Sequence, residues 1–172
     1  MSNGHVLKFG AERSYDNNIA TIRAIKNGIL EFVDMCLWLI NDPSFSWITD
    51  EKSRNVLFLA VLHRQHEIFN RISRDDGLKE DLACQKDDDG NTLLHMAGMP
   101  PDFTKLNRIP GAALQMQREL QWFKEVQKIV PAKVKEATNK DGLTAHEFFT
   151  KNHMSLLKEG SNGQRTRYQL VR

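Results

Sequence analysis

Apolar residues along this chain recur at helical spacing, in short blocks separated by polar turns. Ile19 to Ile25 and Leu30 to Ile40 form a first pair of blocks broken at Asn27-Gly28, the second block aligning Leu30, Val33, Leu37 and Ile40. Asp42-Pro43 stops that helix, because a residue ahead of proline is pushed out of the helical region. Asn55 to Leu62 and Glu67 to Ile72 make a second pair, with Leu59, Leu62, Ile68 and Phe69 on the packing side. Ala112 to Val130 is the longest periodic stretch; Met116, Leu120, Phe123, Val126 and Val130 mark its inner face, and Pro131 ends it. A last pair runs from Thr144 to Phe149 and from Met154 to Lys158. The pattern predicts an all-α protein built of helix pairs.

Between the blocks, Ser73 to Leu78 reads as a polar loop. Gly98 to Gly111 holds Pro100, Pro101 and Pro110, which forbid a regular helix, while Phe103, Leu106 and Ile109 offer an apolar edge that would pack on its neighbours. The expected division is a flexible lead-in over 1–18, a repeat domain over 19–160 and a flexible tail over 161–172.

One run carries more local chemistry than the rest: Asp89-Gly90-Asn91-Thr92-Leu93-Leu94-His95-Met96-Ala97. Gly90 supplies the positive φ of a tight turn, Thr92 can cap a helix, and His95 can bond neighbouring backbone. The run is close to the ankyrin signature T-P-L-H-x-A. Copies are visible. Ser53 to Ala60 repeats the pattern 37 positions earlier, with Asn55 in place of the threonine and Phe58 in place of the histidine. Ile19 to Ala24, followed by Gly28, is a weaker copy 36 positions before that. Asp141-Gly142-Leu143-Thr144 repeats the opening, with Thr144 lying 52 positions after Thr92. Against an ankyrin period of about 33 residues, the last interval carries a long insertion. The expected fold is therefore an all-α ankyrin-repeat solenoid of about four helix-turn-helix repeats, with a proline-rich insertion and one extended helix.

Composition narrows the class. The 172 residues suit one domain, and 40% hydrophobic with 27% charged residues is ordinary for a globular chain. No stretch approaches the ~20 apolar residues of a membrane span. Cys36 and Cys84 show no paired spacing, which favours a reducing, cytoplasmic home. A net charge of +2 from 24 basic and 22 acidic residues gives no field for nucleic acid. His63 and His66 share a helix face at metal-binding spacing, but two ligands do not make a zinc site, and surface polarity is the simpler reading. Asp87-Asp88-Asp89 lacks the later carboxylate of a calcium loop and reads as an exposed acidic finger. Phosphate loops, nucleophile elbows and dinucleotide fingerprints are missing, so neither an enzyme nor a cofactor is expected. Trp38, Trp47 and Trp122 are read as core.

Longer blocks resemble a particular family. Phe58-Leu59-Ala60-Val61-Leu62-His63-Arg64-Gln65 with Glu67-Ile68-Phe69-Asn70, then Ala112 to Val126, then Asn139 to Thr144, look like plant ankyrin-repeat proteins that carry a C-terminal PGG membrane domain. The resemblance covers roughly residues 19 to 160. It implies a scaffold in plant stress and defence signalling, with repeats facing the cytosol and apolar anchor helices after them; past Gly160 this sequence instead runs into a polar, arginine-containing tail. The functional expectation is a monomeric, non-catalytic interaction module that binds a protein on its concave surface. In repeat register, the tip positions are Glu51, Lys52 and Arg54 in one copy and Asp88, Asp89 and Asn91 in the next, with inner-helix positions Leu62, His63 and Met99. Arg54, His63 and Met99 would anchor the partner, and the aspartates would steer a basic one. The alternative is an anionic-lipid surface binder using Lys124, Lys128, Lys133 and Lys135 around Pro131 with Arg165, Arg167 and Arg172.

Overall fold

A computed structural model describes residues 18–39, 43–101, 111–156 and 158. Among these residues the secondary structure is helical, and the only extended pairings are two isolated bridges, Thr49 with Asn55 and Thr138 with Thr144. The chain divides into two units, residues 1–82 and 83–172.

In the first unit, α1 (residues 18–27) and α2 (Leu30–Leu39) are joined at Gly28, whose φ of 74° lies in the left-handed region that glycine tolerates. The Gly28 amide bonds to the Ile25 carbonyl and the Ile29 amide to that of Ala24, closing the helix end. The same closure recurs between α3 (Val56–Leu62) and α4 (His66–Ile72). There Arg64 takes φ 56°, its amide bonds to Val61, and the Gln65 amide bonds to Ala60. The two closures are 36 positions apart, the interval seen between the weakest copies in the sequence. Gln65 also ties them together, its Nε2 donating to the Lys26 carbonyl at 3.1 Å. A Cβ on Gly28 would meet Gln65 Oε1 at 2.5 Å, so a larger residue would suffer the positive φ and would also push the Gln65 side chain from its place.

The core of this unit is Ala24, Ile25, Val33 and Cys36 from α1 and α2, Val56 through Val61 from α3, and Ile68, Phe69 and Ile72 from α4. A short 3-10 helix, Pro43–Trp47, and Ile48 lead into the turn before α3, with Phe45 and Ile48 buried. Two expectations are corrected here. Ser73 to Leu78 is not all loop: α5 spans Asp76–Ala83, because Asp75 caps it by accepting the Leu78 amide at 3.0 Å. Nor are Trp38 and Trp47 core: they are 81% and 79% exposed.

In the second unit, α6 (Leu93–Gly98) is wholly buried and packs against both α7 (Ala112–Ile129) and α9 (Ala145–Asn152). A Cβ on Gly98 would stand 3.3 Å from the Phe149 amide nitrogen, which shows how closely α6 and α9 approach. The buried face of α7 is Glu119, Trp122, Phe123 and Val126, continued by Val130. It is rotated from the expected stripe: Leu120 is 40% exposed and Met116 only half-buried. Pro131 ends α7 and opens a single turn, α8 (Ala132–Lys135). After α9, residues 154–156 form a further helical turn with Leu156 buried. The expected packing of Phe103, Leu106 and Ile109, the first 17 residues of the lead-in over 1–18 and the tail over 161–172 lie outside the described residues, while Asn18 already belongs to α1. Among the described residues no helix is long and apolar enough to cross a membrane.

Candidate functional site

The turns that precede α3, α6 and α9 follow one pattern. Each begins with an Asp or Asn whose side-chain oxygen collects two backbone amides, those two and four residues on. Asp50 Oδ1 accepts from Lys52 and Arg54 at 3.0 and 3.1 Å. Asp87 Oδ1 accepts from Asp89 and Asn91 at 3.0 and 2.7 Å, and Asn139 Oδ1 from Asp141 and Leu143, both at 3.1 Å. Two main-chain bonds complete every copy: the amide of the first residue to the carbonyl of the fifth, and the amide of the fourth to the carbonyl of the first. The fourth residue is left-handed each time, as Ser53 (φ 58°), Gly90 (φ 75°) and Gly142 (φ 73°). The sixth is the helix cap: Asn55, Thr92 or Thr144. An Asp or Asn five positions ahead of each cap was the legible signal for these hubs, and the acidic-finger reading of Asp87 missed it. Asp87 is buried, 7% exposed; Asp88 and Asp89 remain outside.

The caps differ in chemistry. Asn55 accepts the Phe58 amide at 2.9 Å and passes its own amide to the Leu82 carbonyl. Thr144 forms a capping box with Glu147, whose carboxylate accepts from both the Thr144 amide and hydroxyl at 2.8 Å. The Thr144 amide and hydroxyl hold that carboxyl below its ordinary pKa. At Thr92 the partner is His95. Its Nδ1 accepts from the Thr92 amide at 3.2 Å, with the Thr92 hydroxyl 2.9 Å away, so the ring proton sits on Nε2 and is donated to the Leu143 carbonyl at 3.0 Å. His95 is fully buried, and burial lowers its pKa against the raising effect of the Leu143 carbonyl. Histidine thus links the turn at Asp87 to the turn at Asn139. Asn139 Nδ2 to Asn91 Oδ1 at 3.0 Å and the Lys140 amide to the Asp89 carbonyl at 2.9 Å complete the link.

A second buried imidazole behaves differently. His153 stacks on Phe149 with ring centroids 4.2 Å apart and donates from Nδ1 to the Phe149 carbonyl at 2.9 Å. Its Nε2 has no hydrogen-bond partner and stands 3.7 Å from a carboxylate oxygen of buried Glu119. Both groups lie beneath the surface. A groove of about 400 Å³ on α9 is lined by His146, Glu147, Thr150, Lys151 and Met154. No group of three ligating side chains able to hold a metal occurs among the described residues.

The candidate contact residues separate into two kinds. Glu51, Lys52, Asp88 and Asp89 are exposed at the second and third positions of their turns, the positions the hub holds by backbone alone. Arg54 and Asn91 occupy the fifth position and are used internally. Arg54 makes two bonds to Asp50 Oδ2, at 2.9 and 2.6 Å, with its side chain 18% exposed. Burial pushes the Asp50 pKa up, but the Arg54 bonds and the two backbone amides more than offset it, and the carboxyl sits below its usual range. Asn91 is 3% exposed and is spent on Asp87 and Asn139, which takes it off the outer surface. Leu62 and His63 are half-buried at the far end of α3, and Met99 is half-buried where α6 ends. The structure brings Glu51 and Lys52 together in one unit, and Asp88 and Asp89 in the other.

Comparison with family models finds no match for the chain, and comparison with curated proteins finds none either.

Proposed function

We propose that the chain is a non-catalytic protein-interaction module of the ankyrin-repeat type, as its resemblance to plant PGG-family scaffolds implies. The observation that carries this reading is the threefold recurrence of one hub turn ahead of a short capped helix, at Asp50, Asp87 and Asn139. Such a turn fixes its backbone from within and leaves its second and third side chains outside, so a partner meets a surface already ordered. Binding to a preformed surface forfeits little conformational entropy. Asp88 and Asp89 would steer a basic protein partner, while Glu51 and Lys52 present mixed charge on the earlier turn.

The test is comparative capture from plant extract with wild type and with Asp88→Lys/Asp89→Lys, followed by kinetics on the purified partner. The double variant should keep its fold, since exposed substitutions shift stability by less than about 0.5 kcal/mol. It should slow association in a salt-dependent way. A partner bound equally well by wild type and variant would remove the tips from the account. Sedimentation with anionic liposomes through Lys124 and Lys133 would favour the lipid reading instead.

A further inference from the structure

The outer face of α2 carries a feature the tip reading does not use. Glu31, Asp34, Met35 and Trp38 stand at i, i+3, i+4 and i+7, one stripe of a helix whose other side buries Val33 and Cys36. Along that stripe Met35 is 46% exposed, the Asp34 side chain 44% and Trp38 81%. Trp47 in the same unit is 79% exposed although Phe45 and Ile48 on either side of it are buried, so its outward setting is built into the backbone. Trp122, by contrast, is 4% exposed. Surface tryptophan beside methionine is the composition of a contact surface rather than of free surface.

Charge says what such a surface takes. The charges of α2 are Glu31 and Asp34, with no basic residue in its last turn, so the negative end of the helix lies beside Trp38 without a cation on its own helix. Asp34 already accepts a guanidinium, that of Arg71 from α4. We propose that the α2 stripe docks a cationic amphipathic segment of a partner protein, one arginine laid on the Trp38 indole, a second basic residue two turns away paired with Glu31, and an apolar side chain covering Met35 between them. This proposal is independent of the tips and uses different residues.

The probe is a labelled synthetic peptide with arginine on one helical face and leucine on the other, titrated into the full chain by fluorescence anisotropy, alongside its glutamate counterpart. The arginine peptide should bind and the glutamate peptide should not. Trp38→Ala should weaken binding roughly tenfold and Glu31→Lys severalfold, while Leu120→Ala, an exposed leucine of the second unit, should leave it unchanged. Glu31→Lys keeps the test sound if Trp38→Ala alters the helix. Binding indifferent to both variants, or absent, would overturn the proposal. So would self-association abolished by Trp38→Ala, or retention on phosphatidylserine vesicles abolished by it, because the occupant would then be a second copy or a membrane.

Discussion

The turn at Asp50 and the turn at Asp87 share their main-chain bonds but are closed by opposite chemistry. At Asp50 the second carboxylate oxygen takes a guanidinium, Arg54, which keeps some contact with water. At Asp87 it takes the Asn91 amide, which is buried and hands its own oxygen to Asn139. The conformation therefore depends on the hub oxygen and the left-handed fourth residue. At Asp87 the fifth residue also locks the turn to the one at Asn139.

The largest break in that comparison is Asp87→Ala. It strands the Asp89 and Asn91 amides and the buried Asn91 side chain, at a cost of about 3 kcal/mol in urea unfolding. Asp50→Ala should cost less, about 2 kcal/mol, because Arg54 can turn to solvent. Equal losses would mean the closing group is irrelevant.

Next comes His95→Ala, expected to lower stability by about 2 kcal/mol through loss of the Thr92 and Leu143 bonds. The wild type carries a pH signature here. The folded imidazole titrates below its ordinary value while the unfolded one titrates near about 6.5, so the unfolded chain binds the extra proton first. The contribution of neutral His95 is fully present above about pH 6.5 and is lost as pH falls from there through the lower folded value. Unfolding midpoints measured across that window should flatten in the alanine variant.

A smaller effect separates two glycines. Gly90→Ala should cost about 1–2 kcal/mol, since its φ is positive and a Cβ would sit 3.2 Å from the Lys140 nitrogen. Gly142→Ala meets nothing within 4 Å and should cost only the φ penalty, about 1 kcal/mol. The smallest change has the opposite sign. Ser53→Gly relieves a left-handed serine and should raise the melting temperature slightly, by about 0.5 kcal/mol of stability.

Much of the helical framework was legible from periodicity and punctuation. Asn27-Gly28, Asn55, Thr92, Pro131 and Thr144 each mark an observed boundary because they act locally, through φ or a cap. What failed depended on neighbours distant in sequence. A window over α7 cannot tell that Glu119, and not Leu120, turns inward, since that depends on which elements cover the helix. Trp38 and Trp47 were assigned to the core by type, and residue type does not report the missing cover. Register grouped Asn91 with Asp88 and Asp89, and the acidic run joined Asp87 to them; Asp88 and Asp89 are exposed while Asp87 and Asn91 are buried, a difference set by the direction the side chains take across the turn.

Amide hydrogen exchange at the fifth residue of each turn tests the hub most directly. The amides of Arg54, Asn91 and Leu143 each donate to the hub side chain and should exchange far more slowly than that of Glu51, an exposed residue at a turn tip. Asp87→Ala should release Asn91 while leaving Arg54 protected. Exchange at Arg54, Asn91 and Leu143 as fast as at Glu51 would contradict the account.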